Sequence, residues 1–104
     1  MAMRAPRWLF RQRVTLERLE GSGAYGPVYA APVEVLARIE PGHRLVRDRL
    51  GQEVVAMATA YLPADVAIGV DDRLTWDGRT YTVIEARAVV GPSGRVAYRE
   101  AQLR

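Results

Sequence analysis

The sequence predicts an all-β protein, a small single-domain β-barrel of about six antiparallel strands with a long loop between strands 2 and 3, on three observations. Asp77-Gly78 lies between two runs of alternating polarity, LTW and RTYTV, and so reads as a two-residue hairpin loop of type I′, whose central positions need positive φ. Short alternating runs elsewhere are separated by glycine or proline signals about every ten residues, the spacing of a small barrel or sandwich. With 104 residues and 49% apolar content, the chain makes one core and one domain. Closing the sheet removes edges that would otherwise aggregate, so a barrel is the expected form.

Taken in chain order, residues 13 to 20 alternate as a first strand with Val14 and Leu16 on one side, and Gly21 to Pro27 break it. Residues 28 to 40 form the second strand, in which Val33, Val35, Ala37 and Ile39 share a face, with Pro32 confined to an edge or a bulge and Pro41-Gly42 as the stop. Residues 42 to 52 are the projecting loop. In residues 53 to 62, alanine and methionine favour a helix, whereas Val54, Val55, Thr59 and Tyr61 tilt the balance to a strand. A connector at residues 63 to 70 leads into the Asp77-Gly78 hairpin. That turn sets Trp76 opposite Arg79, Leu74 opposite Tyr81 and Asp72 opposite Val83, which puts Leu74, Trp76, Tyr81 and Val83 on the core face and Arg73, Thr75, Thr80 and Thr82 on the wet face. Gly91-Pro-Ser-Gly94 makes a second tight turn before a last strand in which Val96, Tyr98 and Glu100 alternate.

Composition excludes several chemistries. The chain has no Cys and no Lys, so disulfides, thiolate nucleophiles, Schiff bases and a phosphate-binding lysine are all unavailable. No apolar run approaches the roughly 20 residues of a membrane helix, so no membrane partner is expected. Charge is uneven. The first sixteen residues hold Arg4, Arg7, Arg11 and Arg13 and no acid, giving +4, while the remainder carries −1. A basic arm over residues 1 to 12 therefore precedes a nearly neutral body, which argues against a broad nucleic-acid-binding face.

Motif matches fail on context. Gly21 to Val28 (GSGAYGPV) fits the G-x-G-x-x-G-x-V loop of protein kinases and, in its first six positions, the dinucleotide fingerprint. The first needs a lysine on the next strand and the second needs a helix, against which Pro27, Val28 and Pro32 argue; a turn between strands accounts for the glycines. Asp71, Asp72 and Asp77 do not converge as a hard cation requires, since two alternate across a strand and the third serves a turn. His43 is the lone histidine, and Ser22 and Ser93 sit in glycine turns without a base. The expectation is a non-enzyme with no catalytic residue, no metal site and no cofactor.

Two segments look made for partners. The loop combines Arg44, Arg47 and Arg49 with Leu45, Val46 and Leu50, more aliphatic surface than a solvated loop needs. Either the same loop on neighbouring copies covers it, in which case an isolated chain leaves it disordered, or it folds back on its own barrel. In the arm, Trp8, Leu9 and Phe10 lie among Arg4, Arg7 and Arg11, a mixture suited to docking on another protein, unless Trp8 caps the barrel beneath a frayed terminus.

The layout as a whole, an arginine-rich start into RVTLERL, then VYAAPVEVLARIE, RDRLGQE and IGVDDRLTWDGRTYTVIEA, resembles the head-tail joining proteins of tailed bacteriophages, and among them the head-closure or stopper class. The resemblance covers nearly the whole chain and has its best single piece in DDRLTWDGRTYTV. It implies a β-barrel virion protein, assembled in the bacterial cytoplasm into a homo-oligomeric ring, commonly a dodecamer, between a portal/adaptor ring on the head side and tail or tail-terminator proteins on the other. It also implies that the 42–52 loop projects into the channel and closes it on packaged double-stranded DNA, and that the arm docks on the neighbouring ring. A tail-terminator-like connector ring remains an alternative. So does a different class, an SH3-like or oligonucleotide-binding barrel, which would show a basic strand face with exposed stacking aromatics.

Overall fold

Alternation of apolar and polar residues along the strands produces a closed barrel in the computed structural model, which describes residues 6–104. A short 3-10 turn at Arg7–Leu9 precedes β1 (Gln12–Glu17), β2 (Leu19–Gly23), β3 (Gly26–Tyr29), β4 (Val33–Arg47), β5 (Glu53–Pro63), β6 (Arg73–Trp76), β7 (Arg79–Val90) and β8 (Val96–Leu103). Six of these close the barrel in the order β1-β4-β5-β8-β7-β6, with β6 returning to β1 and every pairing antiparallel. The other two, β2 and β3, form a separate hairpin inserted between β1 and β4.

The interior is the set of inward-facing residues that period-two alternation selects. Val14 and Leu16 of β1, Ala37 and Ile39 of β4, Ala58, Ala60 and Leu62 of β5, Leu74 of β6, Tyr81 and Val83 of β7, and Ala101 and Leu103 of β8 make one buried cluster. Trp76 lies against its rim, half-buried. Ala37, Ala58, Ala60 and Ala101 share the interior with larger Leu, Ile, Val and Tyr side chains, a mixture of sizes that suits a narrow barrel.

The Asp77-Gly78 turn has the expected geometry, with φ of +51° and +76°. Trp76 opposes Arg79 and Leu74 opposes Tyr81, as the turn chemistry requires. Gly78→Val should therefore cost about 1 to 2 kcal/mol, because a β-branched residue resists positive φ; a urea melt unchanged from the parent would contradict that. Before the hairpin, Asp71 and Asp72 both oppose Val83: Asp71 N donates to Val83 O and Val83 N donates to Asp72 O. Asp71 takes φ +71°, so this is a β-bulge whose first residue is left-handed.

Four expectations are corrected. The first strand ends at Glu17, not residue 20, because the chain leaves the barrel into β2. The segment from residue 28 is split, with Val28 and Tyr29 in the inserted hairpin and the barrel strand starting only at Val33. Pro41-Gly42 does not stop β4, which continues to Arg47 through a bulge between Pro41 and Arg44. Ile39 N points towards β1, where it donates to Gln12 Oε1 at 2.6 Å, so the nitrogen two residues on faces the same edge, beyond the end of β1. A proline there forfeits no ladder bond. Lastly, the excursion from 42 to 52 is a two-stranded ribbon in which Arg44, Leu45, Val46 and Arg47 pair with Ala56, Val55, Val54 and Glu53, and only Asp48 to Gln52 make the turn.

Candidate functional site

The β4–β5 ribbon is ordered by its own chain. β5 supplies the backbone partners that an isolated loop would lack, and the tip is built around Asp48, whose Oδ1 accepts from Leu50 N (2.9 Å) and Gln52 N (3.0 Å). Gly51, at φ +79°, turns the chain back, and Arg47 Nη1 donates to its carbonyl at 2.8 Å. Disorder of this segment in a single chain is therefore not needed to satisfy its backbone.

Its two faces differ. Leu45 and Val55 are opposite partners on one face, 67% and 50% exposed, and Met57 continues the stripe beside Val55. Leu50 stands at the tip, 74% exposed. The other face carries Arg44 and Val46 and curls over the outside of β7 and β8, where Arg44, Val46, Glu85, Arg87, Glu100 and Gln102 line a small cleft. All three arginines of the ribbon have acidic partners: Arg44 with Glu100 (3.5 Å), Arg47 with Glu53 (3.8 Å) and Arg49 with Asp71 (3.0 Å). Charge is neutralised within the chain, while among the described residues Leu45 and Val55 stay largely exposed and only Met57 is partly covered, by Arg79.

Beneath the ribbon lies a polar group, Glu85, Arg87, Glu100 and Gln102, of which alternation along the last strand picks out Glu100 alone. Glu100 is buried, and its carboxylate takes two bonds from Arg87 (3.2 and 2.9 Å) and one from Gln102 Nε2 (3.1 Å), besides the Arg44 pair. Gln102 Oε1 in turn accepts from Thr59. The Arg87 guanidinium is held above its ordinary pKa chiefly by its hydrogen bonds to Glu100. Nothing local marks Glu100 as buried, since its cationic partners come from β4 and β7. Asp72 is a second buried acid. Its carboxylate accepts from Leu19 N (2.7 Å) and Gly69 N (2.8 Å), tying the start of β2 to the β5–β6 connector, so it is occupied structurally.

At the N-terminus the segment does not extend freely. Arg7–Leu9 forms the 3-10 turn, with Leu9 N donating to Pro6 O and Arg11 Nε to Trp8 O (2.9 Å). Phe10 is 4% exposed, packed on its own barrel, and is not free to anchor a neighbour. That corrects its assignment to a docking set; Trp8 remains exposed, Leu9 is half-buried, and Arg4 lies outside the described residues. Leu9 and Phe10 instead form one wall of an apolar cleft of about 260 Å³ with Tyr61, Tyr98, Arg38 and Glu40. The two tyrosine rings meet at a tilt with centroids 6.1 Å apart, and burial together with the Glu40 carboxylate pushes the Tyr61 hydroxyl pKa up.

The Gly21 to Val28 glycines serve the β2–β3 hairpin, whose turn is Ala24-Tyr25, and no helix follows them. Among the described residues no group of His, Asp and Glu is placed to hold a metal ion. No known protein family matches the chain, and no curated protein is similar to it.

Proposed function

We propose that this chain is a structural subunit of a tailed-bacteriophage connector, a head-closure protein whose copies form a ring between the portal/adaptor complex and the tail. The observation that carries the reading is the ribbon: a projecting two-stranded element with an exposed stripe of Leu45 and Val55, continued by Met57, which Arg79 partly covers, and a tip at Leu50. Contiguous exposed aliphatics on an element with free edges are satisfied by other copies of the same surface or by a partner ring. In a ring lumen these stripes would pack against symmetry mates and narrow the channel. Pairing of Arg44, Arg47 and Arg49 with acids lowers the positive charge offered to DNA, which suits a plug that must let go.

The nucleic-acid-binding barrel is less well supported, because Tyr81 is turned into the core and Trp76 packs against it, leaving no stacking platform on that hairpin. Electron microscopy of the purified chain tests the proposal, with rings enclosing a central channel as the expected result, twelve copies being the commonest count for such assemblies. A chain that remains monomeric from micromolar to millimolar concentration, yet binds short duplex DNA with steep salt dependence, would replace it with the nucleic-acid reading.

A further inference from the structure

The β2–β3 hairpin is an element that neither barrel closure nor the ribbon accounts for. Its turn presents Tyr25 with 104% of its reference surface exposed, so no described residue covers the ring. A large aromatic held fully in water at the tip of a glycine-flanked turn is an anchor without a socket. The hairpin is held firmly at its base. Tyr29 Oη donates to Asp71 O, the Arg73 guanidinium stacks 3.7 Å over the Tyr29 ring, Arg73 Nη2 also reaches Glu17 at 3.1 Å, and Ala30 N donates to Arg18 O at 2.8 Å. These contacts fix it on the β6 side of the barrel.

A socket exists on the other side. The cleft between Leu9, Phe10, Tyr61 and Tyr98 is open among the described residues, mainly apolar, and rimmed by the Arg38–Glu40 pair, whose closest approach is 2.9 Å. At about 260 Å³ it has room for one aromatic ring, since a cavity of roughly 150 Å³ holds benzene. Its rim supplies a donor and an acceptor for a phenol hydroxyl, which a Phe or Leu anchor would leave unused. Tyr61 belongs to β5, which is three strands from β6 in either direction around the closed barrel, so anchor and socket face opposite ways and one copy cannot fill its own cleft.

We infer that Tyr25 of one copy seats in the cleft between Leu9, Phe10, Tyr61 and Tyr98 of the next, forming a head-to-tail contact. Two different patches make this contact heterologous, and patches on opposite sides of a barrel turn each copy only slightly relative to the last. That is the geometry of a many-membered ring or of a filament, not of a two-fold dimer. The inference rests on the ring reading above and adds the residues that set its direction.

The test uses two full-length variants. Tyr25→Ala removes the anchor and leaves the cleft; Arg38→Trp, at an exposed strand position that tolerates an aromatic, fills the cleft and leaves the anchor. Each alone should weaken self-association by about thirtyfold or more, the effect of losing one buried aromatic anchor, with unchanged thermal melts. Mixed in equal amounts, they should give a discrete dimer by sedimentation, because only the intact anchor and the intact cleft can meet and neither end can propagate. Wild-type rings that persist in either variant would overturn the inference while leaving the ring reading intact; that is also the outcome if residues 1–5 or another protein occupies the cleft. A wild-type chain that never self-associates would overturn both.

Discussion

Leu74→Ala is expected to lower the unfolding free energy by about 3 to 4 kcal/mol, within the range for a fully buried leucine cut back in a packed core. Leu74 is wholly buried, with Leu16 opposite it on β1 and Tyr81 opposite it on β7, so three strands of the barrel meet at this side chain. Neither neighbour can fill the void, because both are fixed by strand pairing on a closed sheet. Against the 5 to 15 kcal/mol of total stability usual for single domains, the loss lowers the melting temperature by about 15 to 25 °C. Trp76→Ala removes a larger side chain but should cost less, about 2 kcal/mol, because the indole is only half-buried. Urea denaturation of both variants decides the order; a Leu74→Ala loss below that of Trp76→Ala would mean that the hairpin, not the barrel interior, carries the core.

The double substitution Leu45→Asp with Val55→Asp is expected to leave the barrel folded and abolish what the ribbon does. Both side chains are at least half exposed, so each change costs the monomer within about 0.5 kcal/mol. Placing two carboxylates directly opposite each other adds about 0.2 to 1 kcal/mol of repulsion. In a ring, every copy would lose the burial of a Leu and a Val, about 1.5 to 3 kcal/mol each, and would gain charges at the packed interface. If the chain is the proposed head-closure subunit, heads filled with DNA but lacking tails should then lose their DNA, whereas Leu45→Ile with Val55→Ile should retain it. Rings that form normally with the aspartates but leak DNA would assign the stripe to closure; rings that fail to form would assign it to adhesion between subunits. Heads that keep their DNA despite normal incorporation of the aspartate variant would remove the ribbon from both roles.

Features that depend on neighbours a few residues apart follow from local chain chemistry. Asp77-Gly78 dictated a type I′ turn, and the turn dictated that Leu74 meets Tyr81, because positive φ at two successive positions leaves one register open. Period-two alternation similarly placed Val14, Leu16, Ala37 and Ile39 inside, and the need to hide sheet edges made closure the expected outcome. Tertiary structure decided what depends on partners far along the chain. Pro41 passes through β4 because the edge its nitrogen faces lies beyond the end of β1, a fact about the length of another strand. Residues 44 to 47 become strand only when residues 53 to 56 pair with them, so a segment with loop-like residues is a ribbon. Phe10 is core and not anchor because the barrel surface comes round to meet it, and Glu100 is buried because Arg44 and Arg87 arrive from separate strands to balance its charge. Local propensity reports the entropy and sterics of a few adjacent residues, whereas these contacts become favourable only after long loops have closed and the apolar surface that drives closure has been buried.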